Sequence, residues 1–169
     1  VLNGENIVLR VAVAELKEED VSEESQEAVT KLMPEDKRIV SFIKMSLFKK
    51  VGDRKEVEVK TGEPVKISFE IPEEYRSADN QPVNYEIIRV YTDENGETCT
   101  EYVDFTMEGN VISMYVDDNS EYALIVDSDT VLMGDSYSQN ENKMLTQTLE
   151  RESEEKQGSN WYFILLILP

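Results

Sequence analysis

Histidine is absent from the chain and cysteine occurs once, at Cys99. The first absence removes the commonest general base and the commonest zinc ligand. The second rules out an internal disulfide and a cysteine metal cage. Cys99 lies in an alternating apolar stretch and reads as a small strand residue. No cationic cluster adjoins it in sequence to lower its pKa. Basic residues are scarce: 17 Lys and Arg stand against 36 Asp and Glu, a formal charge of -19. Such a surface repels phosphate backbones and anionic lipid heads, which excludes nucleic acid as a partner. No nucleophile–base pair, metal-ligand spacing or phosphate loop occurs, so no catalytic residue and no cofactor are expected.

What is present is β pattern. Residues 84–126 alternate apolar and polar positions in four runs, 84–91, 98–105, 111–116 and 121–126. The turns between them carry Asn95-Gly96 and Glu108-Gly109-Asn110, and Asn-Gly between alternating runs is a strong hairpin signal because both residues accept positive φ. Upstream, 7–13 places Ile7, Leu9 and Val11 on one face. In 39–50, Ile43, Met45 and Leu47 alternate with Phe42, Lys44, Ser46 and Phe48, and the first set is predicted inward. Gly52-Asp53 marks a turn, and 55–60 is predicted to return with Val57 and Val59 inward. Val65, Ile67 and Phe69 form the inner face of the next strand. One helix is predicted from a Ser22 cap, acids Glu23 and Glu24 in the first turn, Lys31 near the end, and Pro34 as a stop. Ala28, Val29 and Leu32 make a thin apolar stripe, fit to plug one end of a sandwich. A single helical turn is predicted from Pro72 through Tyr75. The fold class is therefore mainly β: an antiparallel two-sheet immunoglobulin-like sandwich with one short helix, then a disordered acidic tail.

Several constellations bear on chemistry. Glu73-Glu74, Asp117-Asp118 and Glu154-Glu155 are adjacent acids, and neighbours on a strand point to opposite faces, so they do not converge as a hydrolytic dyad would. Asp117, Asp118 and Asn119, and Asp93, Glu94 and Glu97, crowd two turns where weak calcium binding is conceivable. The Asp-x-Asp-x-Asp-Gly loop is missing, and these residue types form turns for their own reasons. No metal site is expected. A Lys–Asn cross-link would draw on Lys44 or Lys66 and Asn84 or Asn110, but both lysines fall on the outward register. Tyr75, Tyr91, Tyr102 and Tyr115 are the candidate glycan contacts, since cross-strand tyrosines can form a flat stacking platform.

Past Val126 the composition shifts. Residues 128–160 are rich in Ser, Asp, Glu, Gln and Asn and read as a flexible acidic stalk. The chain then carries Trp161, Tyr162, Phe163, Ile164, Leu165, Leu166, Ile167 and Leu168 in an unbroken apolar run before Pro169. Crossing a bilayer takes about 20 apolar residues. With Trp and Tyr at its edge, the run reads as the start of a truncated transmembrane anchor; docking on the domain as a core strand is the alternative. The expected division is 1–127 sandwich, 128–160 stalk, and 161–169 anchor start.

The Asp93-Glu94-Asn95-Gly96-Glu97 turn, the Glu108-Gly109-Asn110 turn and the closing Ser120, Tyr122, Ala123 and Leu124 resemble a recurrent module of cell-surface proteins from Gram-positive gut bacteria. The segments 65–73 and 85–90, and the strand-and-turn 43–53, are similar to that module as well. Two positions depart from its pattern: Asn119 replaces an aromatic and Tyr91 a histidine. The resemblance implies extracellular display beside a C-terminal anchor within a multidomain protein, and no known activity. The expected function is a non-enzymatic spacer or adhesion domain, partnered by neighbouring domains of the same protein, the membrane through its C-terminal segment, and possible host protein or glycan. A carbohydrate-binding module using the exposed tyrosines is the alternative.

Overall fold

The computed structural model describes residues 6–135 and, by its backbone, the strand Tyr162–Ile167. The remaining residues, including most of the predicted stalk, lie outside the description. In chain order the strands are β1 (Ile7–Leu16), β2 (Lys37–Val51), β3 (Val57–Glu58), β4 (Val65–Glu70), β5 (Glu86–Thr92), β6 (Thr98–Tyr102), β7 (Phe105–Glu108), β8 (Val111–Val116), β9 (Ser120–Asp127) and β10 (Tyr162–Ile167). The α-helix α1 (Glu23–Leu32) joins β1 to β2. The strands form two antiparallel sheets. The larger runs β10-β1-β2-β9-β5-β6, with β3 also on β2; the smaller runs β4-β8-β7.

The two sheets face one another across the main core. Val11, Val13, Ile43, Met45, Leu47, Ile87, Tyr122 and Leu124 come from the larger sheet, and Ile67, Phe69, Ile112, Met114 and Val116 from the smaller. Among them are Ile43, Met45, Leu47, Ile67 and Phe69, which period-two alternation predicted inward. Fully burying side chains of this size contributes roughly 1.5–3 kcal/mol each, enough in sum to hold a domain without a disulfide.

A second core sits on the opposite face of the larger sheet. Val21 and Val29, from and beside α1, meet Phe42, Ile88, Val90, Ala123 and Ile125. The helix begins as predicted: Ser22 Oγ accepts from the Ser25 backbone N–H at 3.1 Å. Its place differs from the prediction. It lies across the outer face of the sheet near β5 and β6 instead of plugging an end. Phe42, predicted outward, is buried beneath this cover.

The region 84–126 also departs from a plain meander. The stretch predicted as one strand over 98–105 is two. β6 pairs with β5 in the larger sheet, and after Val103 and Asp104 the chain crosses to form β7 in the smaller one. β9 then returns to lie between β2 and β5. In the turn at Asn95-Gly96 only Gly96 takes positive φ, at 83°. Asp93 Oδ1 instead accepts from the N–H groups of Asn95 and Glu97, at 2.8 and 2.9 Å, and closes a longer loop. Two further differences concern edges. Val57 is 54% exposed, because β3 pairs with β2 for two residues only and then turns away. The fold also runs past 127: Leu132 is buried in the main core, and Asp135 pairs with Arg38 at 2.7 Å.

Truncating Met45 to Ala should cost about 2–5 kcal/mol, as a cavity between the sheets demands. Val57→Ala should stay within about 0.5 kcal/mol, as expected of a surface position. Urea unfolding midpoints of the two variants check both; equal costs would place Val57 inside.

Candidate functional site

A concave part of the surface bearing charged and polar side chains forms where β1 ends. A bulge shifts the β2–β9 register between Ile39 and Ser41. Ser41 sits buried behind it and donates to Glu15 Oε1 at 2.9 Å. The Tyr75 hydroxyl donates to the same oxygen. Tyr75 is held by the 3-10 turn Glu73–Tyr75, which follows Pro72 as predicted, and its carbonyl accepts from the Tyr85 hydroxyl at 2.6 Å. Burial, and then the Glu15 carboxylate, push the Tyr75 phenol well above its ordinary range. Tyr75 therefore remains a donor, and Glu15 gathers two donors from two other elements.

On one side of Glu15 lies an open groove of about 520 Å³ lined by Leu16, Lys17, Glu18, Gln26, Ile39 and Phe42. On the other is an apolar space of about 30 Å³ between Val13, Ile43, Phe69 and Leu124. The groove has the volume of a small-molecule site. Of its polar groups, Glu15 and Ser41 are already engaged in tying β1, β2 and the Tyr75 turn together.

Of the charged groups that sequence reading weighed for metal or catalysis, Asp117 and Asp118 converge on an arginine, and Glu154-Glu155 lie outside the described residues. Arg89 donates to Glu101 Oε1 at 2.9 Å and to Asp117 Oδ1 at 3.3 Å, and its Nη2 stands 2.8 Å from Asp118 Oδ1. Its Nε donates to Ser120 Oγ at 3.2 Å, and the guanidinium stacks over the Tyr91 ring at 4.6 Å. Ser120 Oγ donates in turn to Asp118 at 2.5 Å. Burial pushes the Asp118 carboxyl up, but the bonds from Ser120 and Arg89 outweigh it and hold the group below its ordinary value. Arg89 thereby fixes the turn by which the chain passes from β8 in one sheet to β9 in the other. The neighbouring Asn119 also ties the backbone, since its Oδ1 accepts from the Leu47 N–H at 2.7 Å. This is what stands where the resemblance expects an aromatic.

The Lys–Asn constellation has its closest counterpart at a lysine that sequence reading passed over. Lys37 Nζ lies 2.6 Å from Asp127 Oδ1 and 3.0 Å from Glu86 Oε1, with 8% of its side chain exposed. Asn84 Nδ2 reaches the same Asp127 oxygen at 3.5 Å. The bond to Asp127 leads in raising the Lys37 pKa, and the same bond lowers that of Asp127. The amine is thus held as ammonium, with no lone pair for attack on the amide, and the trio acts as an ion pair. Lys44 and Lys66 are exposed, as their register predicts.

The four candidate tyrosines are not brought together. Tyr75 lies in the Glu15 cluster, and Tyr91 lies under Arg89. Tyr102, 46% exposed, pairs with Ile88 and so shares the helix-bearing face of the larger sheet. Tyr115, 64% exposed, pairs with Lys66 on the outer face of the smaller sheet. They belong to separate surfaces and form no common platform.

The apolar run that reads as an anchor start is placed as β10. Tyr162–Ile167 pairs antiparallel with β1, from Val13↔Tyr162 to Val8↔Ile167. Trp161 and Leu168 lie outside the described residues. Among the described residues no helix is long and apolar enough to cross a membrane.

No family model, curated protein or solved structure matches the chain.

Replacing Arg89 with Met strands Asp118, whose side chain is only 13% exposed. A carboxylate with a depressed folded pKa contributes stability above its unfolded pKa and loses it as pH falls through the folded value. The destabilisation of Arg89→Met should therefore be full at pH 7 and fade below the ordinary carboxylate range, about pH 4. Thermal melts between pH 3 and pH 7 check this; a deficit that does not change with pH would remove Asp118 from the account.

Proposed function

We propose that the chain is a non-enzymatic module of an extracellular bacterial surface protein, acting as a spacer or adhesion domain between its neighbours. The observation that carries this reading is the length of β2 and what it holds at its two ends. Gly52 N–H, just past the end of β2, donates to Asn6 O at 3.0 Å. Arg38, at the start of β2, holds Asp135. Asn6 thus stands beside one end of a single 15-residue strand and Asp135 beside the other. At a strand rise of about 3.3 Å per residue, those ends stand roughly 45 Å apart. β2 is hydrogen-bonded on both sides, so the separation is held by the most securely paired strand of the fold.

Three further features support the reading. The Arg89 and Lys37 clusters engage their acids in structure. The surface charge favours solubility and self-avoidance in a crowded extracellular layer. The resemblance of 39–126 to a surface module points to the same setting. The run 161–168 can serve as an anchor only in a copy where it has left β1, since a strand pairing and a bilayer position are alternatives for the same backbone.

Two measurements test the proposal. Antibodies against 6–135 should label intact, unpermeabilised cells; labelling confined to lysed cells would overturn the extracellular reading. Spin labels at Asp53→Cys and Ser128→Cys, with Cys99→Ser, should report a narrow separation of roughly 45 Å, set by strand rise. A short or broad distribution would remove the spacer role.

A further inference from the structure

The loop that turns β5 into β6 carries a reactive pair. The ladder between those strands closes at Thr92↔Thr98, and beyond it Asn95 and Gly96 are both exposed. An asparagine side chain ends in an amide whose carbon, Cγ, can be attacked by the backbone nitrogen of the following residue. Glycine is the successor that hinders this least, because it has no Cβ and turns freely. Packing does not restrain the pair either: outside the adjoining residues, no atom lies within 4 Å of the place a Cβ would take on Gly96.

The restraint comes from Asp93. Gly96 N–H donates to the Asp93 carbonyl at 3.1 Å, so the attacking nitrogen is engaged as a donor. Asn95 is held twice by the Asp93 carboxylate: its N–H donates to Oδ1 at 2.8 Å and its Nδ2 to Oδ2 at 3.3 Å. A side chain so held is not free to rotate toward Gly96, and reaction requires the two atoms aligned at about 3–3.5 Å. Attack also places negative charge, first on the nitrogen and then on the amide oxygen, beside an existing carboxylate, which like charges disfavour. The bond from the Glu97 N–H leads in holding the Asp93 carboxyl below its ordinary value, against burial, and bonds from Asn95 and Gly96 add to it. The group is therefore ionised at neutral pH.

From these observations we infer that Asn95 is a spontaneous deamidation site, and that the Asp93 carboxylate keeps it closed while the loop is folded. When the loop opens, the Gly96 nitrogen gives up its proton and forms a bond to Asn95 Cγ. The Cγ–Nδ2 bond breaks, and Nδ2 leaves as ammonia, which carries away that proton. The product is a cyclic succinimide, which water opens to aspartate or to isoaspartate. Water is the one co-reactant, and nothing is oxidised or reduced. The change runs one way: neither product has the Nδ2 hydrogens that Asp93 Oδ2 accepted, and each adds a negative charge beside Asp93, Glu94 and Glu97. Isoaspartate also lengthens the main chain by a methylene between the two strands of the hairpin. The inference concerns this loop alone and does not rest on the extracellular reading.

The test follows isoaspartate at position 95 by peptide mapping of the full chain, incubated for weeks at neutral pH. The folded chain should convert roughly tenfold more slowly than the same chain unfolded in guanidinium chloride, the factor that one charge-assisted hydrogen bond makes in a rate. Asp93→Ala should convert severalfold faster than wild type while folded. Asp93→Asn keeps the shape of the loop and removes the charge; it should also convert faster, and it serves should the alanine variant disturb the hairpin. Melting curves that match wild type verify that the variants are folded during incubation. If the unfolded chain forms no isoaspartate at 95, the site is refuted. If folded and unfolded wild type convert at equal rates, or if neither folded Asp93 variant outpaces wild type, Asp93 is not what holds the site closed and the inference fails.

Discussion

The whole arrangement depends on the larger sheet being covered on both faces. β2 and β9 lie at its middle, and their side chains must satisfy two apolar layers at once. One set, Ile43, Met45, Leu47, Tyr122, Leu124 and Val126, meets the smaller sheet; the other, Phe42, Ala123 and Ile125, meets the helix layer. A strand buried on both sides cannot alternate strictly, because a polar residue on either face would sit in a core. This explains the unbroken run from Tyr122 to Val126, every residue of which is buried. It also explains why α1 needs only a thin stripe. The sheet supplies most of the apolar surface, and Val29 is the residue that meets it.

Electrostatics follows from the same geometry. A chain with a charge of -19 has few cations, and several of them sit at seams between elements. Lys37 joins β2 to residues of β5 and β9, Arg38 joins the start of β2 to Asp135, Arg76 reaches back to Glu70, and Arg89 holds the crossing turn between the sheets. Glu15 plays the converse part, with two hydroxyl donors in place of a cation. Isolated surface pairs contribute little. Arg89 and Lys37 differ because their side chains are largely withdrawn from water and each meets more than one acid. Removing one partner there strands the others in a poorly solvated site.

What could be read from sequence divides along physical lines. Alternation placed Ile43, Met45, Leu47, Ile67 and Phe69 correctly and missed at Val57 and Phe42; where it succeeded, it did so because a side chain's face within a strand is a local property. The helix cap and the 3-10 turn after Pro72 were legible for the same reason. Which sheet a strand joins is not local. Nothing in 98–105 distinguishes one strand from two split at Val103 and Asp104, since the division is imposed by the opposing layers. The helix's position had a readable signal that went unused: adjacent apolar pairs, Phe42-Ile43 and Ile87-Ile88, mark burial on both faces. The clustering of Glu15 with Ser41 and Tyr75 had none, because those residues are far apart in sequence and are joined only by the bulge and the turn. Leu132 lies in a short apolar triplet, Val131-Leu132-Met133, whose polar flanks make 128–135 look like linker although one side chain seats it in the core.

The direction of β10 has a mechanical consequence. Ile167 pairs with Val8, so the outermost described residues, near Ile7 and near Ile167, leave the β1–β10 ladder from the same end. Load applied between them falls on one rung at a time and peels the strand away, a process that resists little force. Load applied between Ile7 and Asp135 runs instead along β2, where the ladders on both sides are stressed in shear and must yield together. The molecule thus contains a compliant outer strip laid over a stiff central beam, and a pull through the outer strip extends the chain long before it threatens the beam.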